Sequence, residues 1–329
     1  MPIVVLMCHH IWSCTIGLSI GAKPGLSGDH WFVKDFTVYL ENLDSSDLRT
    51  AWIHAVLALS KKITIGSAKG NDDFRKMLEQ AGSVENLYND IFALVAVDED
   101  IAKKVYAKLI KFSGVFKAVT IFDSIYPIKL GAHPGTPPIV YTLGDISLLD
   151  VKKSIAFVGT RELVDSNHID HGTRVIKRLL SSGVDAIVSG LASGSDTLGH
   201  KAAIRFGGRT IAVLGTPLDM FYPKENRELQ SQIAESDLLV SEYPIGVGSF
   251  GSYFANRNRT TVALSTDGVV VARAGDKSGT QYAIRICLEQ NKQLYVLENN
   301  IRESTYSWVL KYKDRIKVIR ENFDAGTTS

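Results

Sequence analysis

The sequence predicts an α/β fold, a largely parallel sheet with helices on both faces, preceded by a mainly helical N-terminal domain. Two observations carry the sheet. Short apolar runs rich in β-branched residues recur at SIAFVG (154–159), DAIVSG (185–190), RTIAVLG (209–215), DLLVSEYP (237–244), GVVVARA (268–274) and QLYVLEN (293–299). Most are separated by stretches of helical periodicity, as at 168–180, 197–205 and 280–289. A third observation sets the first part of the chain apart: apolar positions recur there at three and four, as in 48–60, 72–80 and 101–112.

In chain order, the opening stretch MPIVVLMCHHIWSCTIGLSIG is apolar but lacks a basic leading region and is interrupted by His9 and His10. It reads as a buried start rather than a membrane span or signal segment. Cys8, His9, His10 and Cys14 are of zinc-binding types, yet they lack two clear ligand pairs and sit among Ile, Val, Leu and Trp. Core packing is expected there, with no metal and no cofactor. Trp12, Trp31 and Trp52 are expected as core or interface anchors. The helical domain is assigned to 1–120. In 121–150, Pro127, Pro134, Pro137 and Pro138 end helices and extend the chain, marking a join with a short edge strand at 139–141. Residues 151–300 then form the sheet domain, and 301–329 a C-terminal extension.

Composition agrees with a folded chain long enough for two domains: 329 residues, 45% apolar, 22% charged. Three widely spaced cysteines, Cys8, Cys14 and Cys287, do not make a disulfide framework, so a reducing cytoplasm is expected. The net charge is only +2. A histone-like surface is excluded, and any nucleic-acid role must rest on a local patch.

Right-handed crossovers place the C-terminal ends of parallel strands on one rim, where a ligand is expected. Gly159, Thr160 and Arg161 end the first run and suit a phosphate, although Arg161 could equally pair with Glu162. The second end offers Ser189, Gly190, Ser193, Gly194 and Ser195, with backbone amides and a helix start aimed at an anion. Asp196 there fits an N-cap as well as a ligand contact, and His200 shares its helix face without making a metal site. Asp219 and Tyr222 follow the third run; Tyr222 is either a base-stacking or a packed tyrosine. Glu242 ends the fourth, facing a sugar hydroxyl, a base or an arginine. Arg257 and Arg259, flanking Asn258, cluster two cations at a helix start, which favours a recruited anion over ion pairing with Glu242 or another acidic residue. Lys277, Ser278, Gly279 and Thr280 add phosphate contacts at the fifth end. Neither GxxxxGK[ST] nor GxGxxG is present, so triphosphate hydrolysis and the usual dinucleotide fingerprint lack support.

The ordered set YPIKL (126–130), PPIVYTLG (137–144), AFVGTR (156–161), VSGLASGSDTLGH (188–200), TIAVLG (210–215), LDMFYPKEN (218–226), SEYPIG (241–246), FANRNRTTVALS (254–265) and SGT (278–280) resembles the DNA-processing protein A family, also called Smf. The resemblance implies an extended Rossmann-like domain that binds single-stranded DNA, forms a homodimer and, in bacteria competent for natural transformation, helps load a RecA-type recombinase. It implies that Arg161, the 189–195 loop, Arg257, Arg259 and Lys277 line a DNA-phosphate or nucleotide pocket, that Asn258 organises the loop or contacts the ligand, and that Asp196, Asp219 and Glu242 shape the pocket. No residue is implied as a catalytic nucleophile. Ser193-Gly194-Ser195-Asp196 stands where the family often has Arg-Gly-Ile-Asp, which removes one cation, and 29 residues after Asn300 are too few for a winged-helix domain.

Two other readings stay open. The strand-end Glu242 with Arg257 and Arg259 resembles the Arg and Glu pair of nucleotide phosphoribohydrolases, although their PGGxGT loop is absent. A nucleotide-sensing scaffold would use the same pocket to control a partner.

Overall fold

The computed structural model describes residues 37–93, 96–302 and 306–321. The segment holding Cys8, His9, His10, Cys14, Trp12 and Trp31 lies outside them. After α1 (Thr37–Glu41), four longer helices follow: α2 (Ser46–Leu59), α3 (Ala68–Ala81), α4 (Val84–Phe92) and α5 (Glu99–Lys111). Ser45, Ser67, Ser83 and Asp98 each turn a side-chain oxygen back onto a first-turn amide of the helix they precede. Each such cap contributes about 1 kcal/mol. In α5, Glu99 and Asp100 in the first turn and Lys108 and Lys111 in the last complement the helix dipole.

Among the described residues the nine strands are β1 (Lys117–Thr120), β2 (Ile139–Gly144), β3 (Ser154–Val158), β4 (Ala186–Ser189), β5 (Arg209–Leu214), β6 (Leu238–Ser241), β7 (Val269–Val271), β8 (Leu294–Leu297) and β9 (Ile316–Ile319). They form one sheet in the order β1-β2-β6-β5-β4-β3-β7-β8-β9. From β6 to β9 every pairing is parallel; β2 runs antiparallel to both β1 and β6. The strand at 139–141 therefore sits one place in from the edge, because the short β1, too weakly patterned to read from sequence, pairs outside it. At the opposite edge, β9 is supplied by residues beyond 300.

The intervening helices are α6 (Ile128–Gly131), α7 (Ser166–Ser181), α8 (Ser195–Arg205), α9 (Arg227–Ser236), α10 (Gly251–Asn256), α11 (Asn258–Leu264), α12 (Thr280–Glu289), α13 (Asn299–Arg302) and α14 (Ser307–Lys311). Strand periodicity sorts the layers. On β3, Ile155 and Phe157 pack with Val175 and Ile176 of α7 and Ala202 of α8, whereas Ala156 and Val158 pack with Val262 of α11 and Ala283 of α12. Helices α2 to α5 share a core with Tyr141, Ala212, Leu214 and Leu239 of the sheet, and Trp52 lies fully buried within it. Residues on both sides of 120 and of 150 thus contribute to common cores. No helix among the described residues is long and apolar enough to cross a membrane.

Candidate functional site

Strand order β5-β4-β3-β7-β8-β9 matches the 3-2-1-4-5-6 order of doubly wound dinucleotide-binding sheets. The order of successive strands reverses beside β3, so the loops leaving β3 and β7 part and open a crevice between them. A cavity of about 600 Å³ occupies that place. Gly159, Thr160 and Arg161 line it from the β3 loop, and Lys277, Ser278, Gly279 and Thr280 from the start of α12. Arg257, Asn258 and Phe254 form a third wall, and Ala192 and Asp196 a fourth.

Arg161 and Lys277 are exposed and make no ion pair among the described residues. Arg161 lies over the Phe254 ring, 5.8 Å from its centroid, and Tyr222 packs against the same ring at 4.5 Å. Tyr222 is 44% exposed and so presents an aromatic face to solvent beside the crevice. The Asn258 side chain is buried at the cavity wall and has no hydrogen-bond partner among the described residues. Ser278 and Thr280 bond each other, Oγ to Oγ1, at 3.0 Å.

Arg257 has a different role from its neighbours. Its guanidinium is buried, donates from Nη2 to Asp196 Oδ2 at 3.2 Å and from Nη1 to Thr261 at 3.4 Å, and lies against residue 190. A Cβ at 190 would coincide with that guanidinium, which is why the loop needs glycine there. Asp196 also accepts from the Ala192 amide, and α8 is capped instead by Gly194 at φ 74° without a side-chain bond. His200 serves the same loop: Nε2 accepts from the Leu191 amide and Nδ1 meets Thr210 Oγ1 at 2.7 Å. Burial holds its pKa down to about 3, so the ring is neutral.

Ser189 and Ser195 of the 189–195 loop face inward. Ser189 Oγ donates to the Phe157 carbonyl at 2.6 Å, and Ser195 bonds the Thr160 carbonyl through both Oγ and its amide at 3.0 Å. Ser189, Gly190, Ser193, Gly194 and Ser195 are not among the cavity-lining residues; all but Ser193 fix the loop that presents Ala192 and Asp196. Arg259 points away from Arg257, since residues two apart on a helix do not share a face. It pairs with Glu289 at 3.2 Å and lines a separate, smaller cavity. Glu242 is buried between the layers, accepting from Asn71 of α3 at 3.3 Å and Thr260 of α11 at 3.2 Å, and burial lifts its pKa to about 7. Asp219 is partly buried away from the crevice, with Oδ1 unbonded among the described residues and its pKa raised by burial.

A family model described as DNA recombination-mediator protein A matches residues 117–312, from β1 through α14. The chain belongs to this family. The Smf protein of Synechocystis is 40% identical over 54% of this chain and 45% of its own length. The DNA processing protein DprA of Streptococcus pneumoniae is 35% identical over 56% of this chain and 64% of its own. Both alignments thus span less than two thirds of the relative. Among solved structures, the DNA processing protein A of S. pneumoniae superposes with a TM-score of 0.65 at 28% identity, covering 84% of this chain and 95% of that one. The Helicobacter pylori protein, whose structure concerns its single-stranded DNA binding mode, gives 0.54 at 29% identity over 63% of this chain and 91% of that one.

Sequence reading of this family member missed Phe254 and Tyr282 at the crevice. Tyr282 falls in the first turn of the helix that Lys277 precedes and Thr280 begins, and an aromatic in that position was the available signal. Phe254 lay in the FANRNR motif with no separate mark of its exposure.

Proposed function

We propose that the crevice binds the sugar-phosphate backbone of single-stranded DNA and that this chain acts in recombination by holding that strand. One observation carries the reading: two unpaired cations, Arg161 and Lys277, face each other's side of a 600 Å³ cavity whose walls also carry aromatic rings. Cations neutralise phosphates regardless of sequence, and rings such as Phe254, Tyr222 and Tyr282 stack on any base. The α12 N-terminus adds a favourable field for the same anions.

The mechanism is binding without covalent chemistry. Arg257, clamped by Asp196, shapes the wall and lends positive potential without leaving its slot. Asn258 has free amide capacity toward the ligand. The hydrolase reading loses support because its carboxylate, Glu242, is engaged by Asn71 and Thr260 outside the crevice. The family's description as a recombination mediator supports a further step, transfer of the held strand to a RecA-type recombinase by a homodimer. Light scattering tests the dimer, and recombinase filament assembly on strands precoated with a single-strand-binding protein tests the transfer.

Salt-dependent fluorescence anisotropy with labelled oligothymidylate tests the site. Arg161→Ala and Lys277→Ala should each weaken binding and lower the slope of log affinity against log salt by about 0.7, while remaining folded. Unchanged affinity in both folded variants removes the crevice as the site.

A further inference from the structure

Beside the crevice lies a second cavity of about 220 Å³, lined by Gly66, Ala68, Gly135, Arg259, Arg285 and Glu289 among others. Tyr282 and Ala255 line both cavities, so the two meet across one exposed ring. We propose that the bound strand continues from the crevice over Tyr282 into this second cavity, which forms a separate phosphate subsite built by Arg259 and Arg285. The inference rests on the crevice being the strand's main site.

Helix α12 supplies the track. Tyr282, Arg285 and Glu289 are spaced by three and four, so they form one stripe along its surface. From Thr280 at the crevice to Arg285 the helix rises about 7 Å, the scale that separates neighbouring phosphates of an extended strand. Tyr282 is 46% exposed, and the Arg285 guanidinium lies 4.6 Å from its ring centroid. Stacking on the tyrosine pre-orients the arginine, and a base placed on the open side of the ring would bring its phosphate toward that cation.

The opposite wall is pared down to admit Arg259. A Cβ on Gly135 would stand 2.7 Å from Ala68 Cβ and 3.1 Å from Arg259 Cδ, so glycine at 135 and alanine at 68 leave room for the arginine stem. Arg259 is held by Glu289, whose side chain is 57% exposed. A pair whose carboxylate stands in solvent contributes little, so a phosphate competes for the partly buried guanidinium at small cost. With two arginines against one glutamate, the subsite stays net positive.

Anisotropy with labelled oligothymidylates of about three and about twenty nucleotides separates the subsite from the crevice. Arg285→Ala should weaken the long oligomer on the order of tenfold, lower its salt slope by about 0.7 and leave the short one unchanged. Arg161→Ala should weaken both lengths. If Arg161→Ala weakens both but folded Arg285→Ala binds the long oligomer as the parent does, the subsite is overturned and the crevice stands. If folded Arg161→Ala leaves both lengths unchanged, the crevice reading itself falls, and this extension with it.

Discussion

The guanidinium of Arg257 occupies the space that any side chain at residue 190 would require. Three separated features of the sequence, the glycine at the end of β4, Asp196 in the first turn of α8 and the arginine before α11, thereby form one buried unit. The unit joins the loop after β4 to the wall of the crevice, so its integrity sets the shape of the site.

Gly190→Ala should expel the guanidinium and leave Asp196 without its partner. Breaking a buried ion pair costs about 3 kcal/mol or more. Gly251→Ala, where nothing lies within reach of an added Cβ, is the matched control. Thermal denaturation should show a clear drop in Tm for the first and little change for the second.

Lys292 fastens the far end of the same helix. Its Nζ donates to the carbonyls of Val262 at 2.6 Å, Ala263 at 2.9 Å and Ser265 at 2.5 Å, which cluster at the C-terminus of α11. Lys292→Met keeps the stem and removes the donors. A loss of about 2 kcal/mol in urea denaturation is expected.

Stability should depend on pH through three buried groups. His54 and His200 are held at about 3 by burial, against 6.5 when exposed. The unfolded chain therefore takes up their protons first, so their contribution is whole above pH 6.5 and lost as pH falls toward 3. Glu242 acts in the opposite direction: burial raises it from 4.5 to about 7, so its contribution is whole below 4.5 and lost as pH rises through 7. Glu242→Gln removes only that opposing component. Denaturation between pH 4.5 and 6.5 should then show a steeper rise of stability with pH in the variant, by up to about 1.4 kcal/mol per pH unit. Equal slopes would place Glu242 in solvent-like surroundings.

Much of this was legible in the sequence because strand and helix periods are local. The apolar runs at 154–159 and 209–215 announce β3 and β5, and buried parallel strands have little else to be. Their ends named the rim, and Gly159, Arg161, Lys277 and Thr280 do meet there. What the chain conceals is direction. Arg257 and Arg259 look alike in RNR, yet a helix turns them into different cavities. Ser189 and Ser195 look like phosphate ligands, yet each hydroxyl is taken by a neighbouring strand-end carbonyl. Strand β1 escaped notice because four residues with only two buried carry almost no pattern.

The central claim is that unpaired cations beside β3 and α12 hold a strand of DNA. Its most direct test is the affinity of the Arg161→Ala, Lys277→Ala double variant for a labelled oligothymidylate, measured across a salt series alongside the parent protein. A folded double variant that binds on the order of a hundredfold more weakly, with a salt slope shallower by about 1.4, is the predicted result. Parental affinity and slope in a folded double variant would contradict it.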